Sequence, residues 1–446
     1  MKTKKIFWVA VYFLSPLLPI ILILAAQPFA LRNGFLLASI IFGACAYTFL
    51  SMQFILSARP PFIDRVFGQD TIYRFHAVMA VVSFALGFIH RQIKVLVFDR
   101  QVLISTIALV LLGAIILFSP IFLIDSFLLK IKPIAAFKRF SARTFRLKRR
   151  TVKWVHNLTL VVGGLLLVHV LQSTGASISP AVRAVFIAYF AIGMSFYVYH
   201  QLIRRWILNR EAWRVAEVVE SAPNIHTLKV TPGKGGVFNY QPGQFMFLRV
   251  LSQHIESEEH PFTISSSPTQ EGYITATIKA SGDYTSKIGQ IRPGDKALVD
   301  APYGIFSYLR HKPRGKMIMI AGGIGITPLL SMLRYMRDKD PNHNVQLIWG
   351  VQRESELVYR SEVAELKGKL AQFDWVPVMS NQPDWPGEKG FITRQLIEKY
   401  AIKDGEDPRL MDFYVCGPPI MMDIVIPIIM EMGVPSSKIH FERFAF

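Results

Sequence analysis

The sequence predicts a multi-domain membrane protein: a six-helix all-α transmembrane bundle, then a β-barrel domain, then an α/β domain of Rossmann-like strand–helix alternation. Three observations carry this. Six long apolar segments fill the first 203 residues. Charge is divided unevenly: residues 1–210 hold 24 Lys and Arg against four acids (Asp64, Asp70, Asp99, Asp125), whereas residues 211–446 hold 26 basic and 27 acidic residues. From residue 211 the pattern turns to short β-type runs, and from 316 to alternating strands and helices. The expected domains are 1–210, 211–312 and 313–446.

The apolar segments run 6–26, 34–57, 75–97, 102–129, 152–172 and 180–203, each long enough to cross a bilayer. Their connections differ in charge. "MKTKK" carries three basic residues, the 130–153 connection ten and no acid, and "STGASIS" (173–179) none. The positive-inside rule then places the amino terminus, the second and fourth loops and everything after 203 in the cytoplasm, with the spans in the plasma (inner) membrane. The loop 91–101, assigned outside, dissents with three basic residues. An alternative makes the first segment a signal peptide; its run is long for one and lacks a convincing cleavage site. Excess positive charge lying between apolar segments speaks for membrane orientation and against a nucleic-acid partner. Cys45 and Cys416 lie in different halves and offer neither a disulfide framework nor metal-ligand spacing.

Ionisable groups inside an apolar span are costly and therefore point to function. In "YRFHAVMAVVSFALGFIHRQ" (73–92) His76 and His90 end the apolar run, and at 1.5 Å per residue a helix holds them roughly 21 Å apart, most of a bilayer core of about 30 Å. The fifth span, "WVHNLTLVVGGLLLVHV", repeats this with His156 and His169. Both spans run from inside to outside, so His76 pairs in depth with His156 and His90 with His169. Two stacked bis-histidine sites are what two low-spin haems b require, leaving no open iron position and favouring electron transfer. The fourteen-residue spacing returns to within about 40° of one helix face; the thirteen-residue spacing misses by about 140°, so the fifth span must tighten or bend, with Gly163–Gly164 the expected place. Arg74 and Lys153 inside, and Arg91, Lys94 and Arg183 outside, are candidate partners for haem propionates.

In the carboxyl half, "HTLKVTP", "QFMFLRV", "YITATIKA" and "KALVDAPYG" read as an antiparallel barrel, and "KMIMIAGGIGITPLLSMLRYMRD", "VQLIWGV", "FDWVPVMS" and "DFYVCGPP" as a parallel sheet. In "GGIGITP", Gly322, Gly323 and Gly325 let backbone approach a phosphate. Thr327 is the expected N-cap and Pro328 the first helical residue, aiming the helix's positive end at the ligand.

Six stretches follow in order: "HPFTISSSP" (260–268), "IKASGDYTSKI" (278–288), "DAPYGIF" (300–306), "GGIGITP" (322–328), "CGPPIMM" (416–422) and "FERFAF" (441–446). This series resembles the flavin and nucleotide motifs of the plant-type ferredoxin–NADP reductases. With the two histidine pairs upstream, the chain resembles the NADPH oxidase and ferric reductase family of transmembrane flavohaemoproteins. The resemblance implies that His260, Pro261, Phe262 and Thr263 line the isoalloxazine of FAD, with the Thr263 hydroxyl near N5. It implies that Gly282, Tyr284 and Thr285 hold the FAD pyrophosphate, and that Gly323, Gly325, Thr327 and Pro328 hold the pyridine-nucleotide phosphates. Cys416, Gly417 and Pro418 would shape the nicotinamide end, and Phe446 would stack on the flavin and yield to nicotinamide. Arg353, just past a predicted strand, could meet a 2′-phosphate bidentately, which favours NADPH; Glu354 and Glu356 beside it leave NADH open.

The expected activity is then electron transfer from cytosolic NAD(P)H through FAD and two haems to an outside acceptor. Dioxygen giving superoxide is the first reading. A ferric chelate, or a periplasmic redox partner or quinone, is the alternative. A non-redox metal transporter would leave the flavin motifs without a role.

Overall fold

The computed structural model describes residues 2–96, 102–123, 132–144, 149–173, 176–177, 179–313, 315–402 and 405–443. It divides into two compact units that meet in sequence at Arg204 and Arg205.

The first unit is helical: α1 (Lys2–Leu14), α2 (Leu17–Ala26), α3 (Gly34–Ser57), α4 (Pro61–Phe67), α5 (Gln69–Leu96), α6 (Val102–Leu123), α7 (Lys132–Thr144), α8 (Arg149–His156), α9 (Thr159–Leu171) and α10 (Pro180–Val198). Five runs are long and apolar enough to cross a membrane: Thr3–Ala26, Gly34–Ser57, Gln69–Val95, Thr151–Leu171 and Pro180–Arg210. Within α6 the apolar helix Leu103–Ser119 is shorter, and the rest of the segment expected to reach 129 lies outside the described residues beyond Leu123. These helices are compatible with a membrane protein.

Helix α3 packs at the centre. It starts at an Asn33 cap, whose Oδ1 accepts from the Leu36 N–H at 3.1 Å. Two of its polar side chains bond to neighbouring helices, while Thr48, Ser51 and Ser57 bond to carbonyls of α3 itself, as an apolar surround demands. Tyr47 donates to the Phe186 carbonyl at 3.0 Å, and Gln53 Nε2 to the Tyr12 hydroxyl at 2.7 Å. Small residues set the closest approaches: a Cβ on Gly193 would stand 2.6 Å from the Ser51 carbonyl oxygen, and one on Gly163 3.0 Å from the Phe54 ring.

The fifth segment breaks elsewhere than expected. Helix α8 ends at His156 and α9 begins at Thr159, so the interruption is Asn157–Leu158, not Gly163–Gly164. There the winding tightens: Leu158 N–H bonds to Val155 O and Leu160 N–H to Asn157 O, both three residues back. Gly163 serves packing against Phe54 instead.

The second unit opens with a six-stranded antiparallel sheet: β1 (Trp213–Ala222), β2 (Ile225–Thr231), β3 (Phe245–Leu251), β4 (Glu259–Thr263), β5 (Ile274–Lys279) and β6 (Lys296–Tyr303), ordered β4-β3-β6-β1-β2-β5. Beyond the edge strand β4, the Ser265 N–H bonds to Thr275 O of the opposite edge strand at 2.9 Å. The sheet's inner residues, among them Leu228, Met246, Leu248 and Ile274, form one apolar core.

A parallel sheet follows: β7 (Met317–Gly322), β8 (Asn344–Val351), β9 (Gln372–Met379), β10 (Glu388–Lys389), β11 (Asp412–Cys416) and β12 (Ile439–Glu442), ordered β10-β9-β8-β7-β11-β12. Helices α11 (Ile326–Lys339) and α12 (Pro419–Glu431) pack against it. All six β7 residues are buried, as expected of a strand covered on both faces. Helix α11 also binds the antiparallel module. Arg334 donates to the Ser265 carbonyl at 2.7 Å while its guanidinium engages both oxygens of Glu362, and Ser331 donates to the Ser266 carbonyl. The serines of "HPFTISSSP" therefore hold the two sheets together.

A histidine pair lies at the base of the parallel sheet. His311 stacks on His440 at 3.7 Å between ring centroids, and His440 bonds to Asp412 at 3.0 Å. Burial, and next the neighbouring His440, push His311 down to about 4 from its usual 6.5. Between those values the unfolded chain binds more protons than the folded one, so folding stability rises with pH across that window and is lost as pH falls through it. The melting temperature of the detergent-solubilised protein is expected to drop from pH 6.5 to pH 4, and less steeply in His311→Phe. Equal slopes in the two proteins would remove His311 as the cause.

Candidate functional site

Two histidine pairs form inside the helical unit. His76 on α5 and His156 at the end of α8 face each other with ring centroids 6.2 Å apart; His90 on α5 and His169 on α9 do the same at 6.2 Å. A metal–nitrogen bond of about 2 Å on each side, plus roughly 1.1 Å from ring nitrogen to centroid, places two imidazoles on one metal atom about 6.2 Å apart. The other ring nitrogens of two of them are engaged as ligating histidines require. His90 Nδ1 lies 2.7 Å from the Ser39 carbonyl oxygen, and His156 Nδ1 3.0 Å from Ser119 Oγ. In both rings the bonded nitrogen is Nδ1. Sequence reading misses Ser39 and Ser119, because each is one of several hydroxyls in its apolar span. Among the described residues no group of three or more His, Cys, Asp or Glu is arranged to hold a metal ion, so the pairs stand alone.

His90 and His169 line a cavity whose atom-free space, counting its open mouth, is about 1050 Å³. Gly43 and Gly87 contribute to its wall, and Arg91 and Lys94 line it as well. A Cβ on Gly43 would come within 2.7 Å of His90 Nδ1, so glycine keeps the ring in place. Arg183, also expected at this level, is exposed on α10.

In the second unit, β4 carries His260, Pro261, Phe262 and Thr263 along a sheet edge, where the missing N–H of Pro261 is tolerated. The first three are half-buried and Thr263 is buried. Tyr284 stacks on His260 at 4.2 Å, so "HPFT" and "SGDYT" build one aromatic wall. Burial, and next Glu258, push the Tyr284 hydroxyl up to about 12, keeping it protonated. The Ser281 and Gly282 N–H groups both donate to Thr285 Oγ1 at 2.9 Å, so this turn is closed by its own threonine.

The strand order of the parallel sheet reverses between β7 and β11, and a crevice outside the carboxyl ends of such strands is where open α/β sheets bind ligands. Both glycine motifs meet there. A Cβ on Gly325 would stand 2.3 Å from the Cys416 carbonyl oxygen, one on Gly322 2.7 Å from Pro418, and one on Gly417 3.0 Å from Gly322. Gly323, at φ +52°, has open space beside it. Helix α11 starts at Ile326 with Gly325 before it, so Thr327 is not the N-cap and Pro328 is not the first helical residue. Gly323–Gly325 already wind as a 3-10 turn, so helical winding starts before Thr327, whose hydroxyl instead donates to the Ile324 carbonyl.

Cys416 ends β11 fully enclosed, and burial, with Glu442 second, holds its thiol well above the ordinary range. Glu442, its register partner on β12, is a buried carboxylate that sequence reading misses, because the signal in "FERFAF" is its aromatics. Phe446 lies outside the described residues. Arg353 is exposed just past β8; Glu354 pairs with Arg360 and Glu356 with Lys279, so neither neighbouring acid pairs with Arg353.

Gly325→Ala is expected to force the two turns apart and slow reduction of the flavin by pyridine nucleotide about a hundredfold, with flavin still bound. Stopped-flow bleaching of flavin absorbance measures this; an unchanged rate would mean that the close approach is not needed.

Residues 211–305 match the family of FAD-binding domains, and residues 319–426 match the oxidoreductase NAD-binding domain. Over 216 residues the chain is 29% identical to a subunit of the Na(+)-translocating NADH-quinone reductase from Idiomarina loihiensis, covering 45% of this chain and 52% of that one. Over 237 residues it is 27% identical to the reductase component of propane 2-monooxygenase from Rhodococcus jostii, covering 52% and 62%. The chain thus spans about half the length of the first of these relatives. A solved ferredoxin NADP+ reductase from Neisseria gonorrhoeae with bound FAD and NADP aligns with 52% of this chain and 97% of its own, at 21% identity and a TM-score of 0.45. Residues 211–426 thus carry an FAD-binding domain followed by an oxidoreductase NAD-binding domain, the make-up of an NAD(P)H-dependent flavin oxidoreductase.

Proposed function

We propose that the chain is a transmembrane NAD(P)H oxidase whose helical unit holds two haems b, one between His76 and His156 and one between His90 and His169. The observation that carries this is the 6.2 Å separation of both histidine pairs, the width of one metal atom with its two bonds. The cavity lined by His90 and His169 lies where a macrocycle at the second pair would sit. When bound, FAD supplies the conversion of a hydride into single electrons, and haem supplies their passage through the bilayer.

The protein's part is placement. Domains 1–210, 211–312 and 313–446 would carry haem, FAD and nucleotide, with the amino terminus and both soluble domains cytoplasmic by the charge of the connections. His260, Pro261 and Phe262 would wall the flavin ring, with the Thr263 hydroxyl at N5. Gly282, Tyr284 and Thr285 would border its pyrophosphate. Gly322, Gly323 and Gly325, with Thr327 and Pro328 in the first turn of α11, would receive the nucleotide phosphates. Cys416, Gly417 and Pro418 would frame the nicotinamide, with Glu442 buried beneath and Phe446 as the aromatic cover. Each NAD(P)H yields two electrons and one proton, so two dioxygen molecules become two superoxide ions outside. A second reading, reduction of ferric chelates, is favoured by Arg91 and Lys94 at the cavity, which suit an anionic acceptor.

Purified protein is expected to carry two b-type haems per chain, and His90→Ala about one, by reduced-minus-oxidised absorbance. Wild-type protein without haem would overturn the proposal. Arg353→Ala is expected to raise KM for NADPH about tenfold while leaving that for NADH unchanged, since one charge-assisted bidentate contact is lost. Equal KM changes for both nucleotides would remove Arg353 from 2′-phosphate recognition.

A further inference from the structure

We propose that Gln27, Arg91 and Lys94 form a carboxylate-binding site in the cavity beside His90 and His169. The inference rests on the haem reading above and adds a ligand contact to it.

Gln27 follows the last residue of α2 and is only 4% exposed, yet it lines this cavity. Its Nε2 is buried and meets no acceptor among the described residues. A buried donor without an acceptor is costly, and such groups in folded proteins have partners as a rule. An acceptor brought by a ligand supplies one. Two cationic side chains share the cavity wall. Arg91 is held in place by bonds from its Nε to Thr106 Oγ1 and from Nη1 to Gln92 Oε1, and Lys94 lies one helical turn further along α5. The rest of the lining is mostly aliphatic, small or aromatic, which strengthens any charge-assisted bond made there. An amide N–H, a guanidinium and an ammonium around one apolar cavity select an anion that accepts several hydrogen bonds. A carboxylate does so with two oxygens.

That carboxylate has two possible sources: a haem propionate, or an acceptor that carries carboxylates, such as a ferric polycarboxylate chelate. The test uses full-length protein in detergent with Gln27→Leu and the isosteric Gln27→Glu. Three readouts are taken: haem content with reduced-minus-oxidised spectra, the rate of haem loss to excess apomyoglobin, and KM for ferric citrate beside dioxygen consumption. If the ligand is a propionate, the variants lose one of the two haems about tenfold faster, Gln27→Glu more than Gln27→Leu. If the ligand is the acceptor, haem loss and spectra stay as in wild type, KM for ferric citrate rises about tenfold, and dioxygen consumption is unchanged. If both variants match wild type in all three readouts, there is no carboxylate site at Gln27. Wild-type protein devoid of haem would instead overturn the haem reading itself.

Discussion

The helical unit is organised around two imidazole pairs whose ring centroids stand 6.2 Å apart, each pair drawn from two separate helical segments. Helix α5 supplies His76 and His90 from a single continuous helix, so the partner segment has to adapt. It does so at Asn157–Leu158, where bonds to residues three back tighten the chain directly after His156. Neighbouring helices then fix the rings: α3 holds His90 through the Ser39 carbonyl and makes room for it at Gly43, and α6 reaches His156 through Ser119. An imidazole anchored at Nδ1 presents Nε2 in one direction only, which is what ligation needs.

In the second unit the comparable constraint is backbone proximity at the β7–β11 switch point. Three glycines, Gly322, Gly325 and Gly417, let two turns approach closely, with the Met421 side chain packed against Gly322 and Gly417. The resulting crevice has the first turn of α11 on one side and the Cys416–Glu442 pair on the other. The Arg334 bridge to Ser265 and Glu362 fixes that crevice relative to the His260–Tyr284 wall. This bridge ties the two sheets of the second unit together, which hydride transfer between them, as proposed above, would require.

Much of this is legible in the sequence because its signals are costly ones. Histidines ending apolar runs and glycines in a strand-to-helix turn are hard to explain as filler, and the structure brings His76 to His156, His90 to His169, and "GGIG" to "CGPP". What escapes is set by packing. A paired glycine is the natural break to expect in the fifth span, but Gly163 is taken up by contact with Phe54, and the break falls directly after His156. Thr327 and Pro328 carry a sound capping pattern, yet the 3-10 turn at Gly323–Gly325 already begins the winding and α11 starts at Ile326. Glu442 and Gln27 cannot be singled out because burial, not residue type, makes them unusual. The expected fourth span is legible only up to Leu123, and the terminal aromatic lies outside the described residues.

The proposed function stands or falls on electron passage from the flavin module to haem in the helical unit. Its most direct test is anaerobic addition of NADPH to FAD-loaded protein in detergent, with the flavin and haem absorbance followed together. The account predicts that flavin bleaching is followed by the sharp bands of reduced b-type haem, and that admitting air reverses them with superoxide formed. Flavin that bleaches while bound haem stays oxidised would contradict it, leaving a flavin reductase attached to a bundle with another purpose.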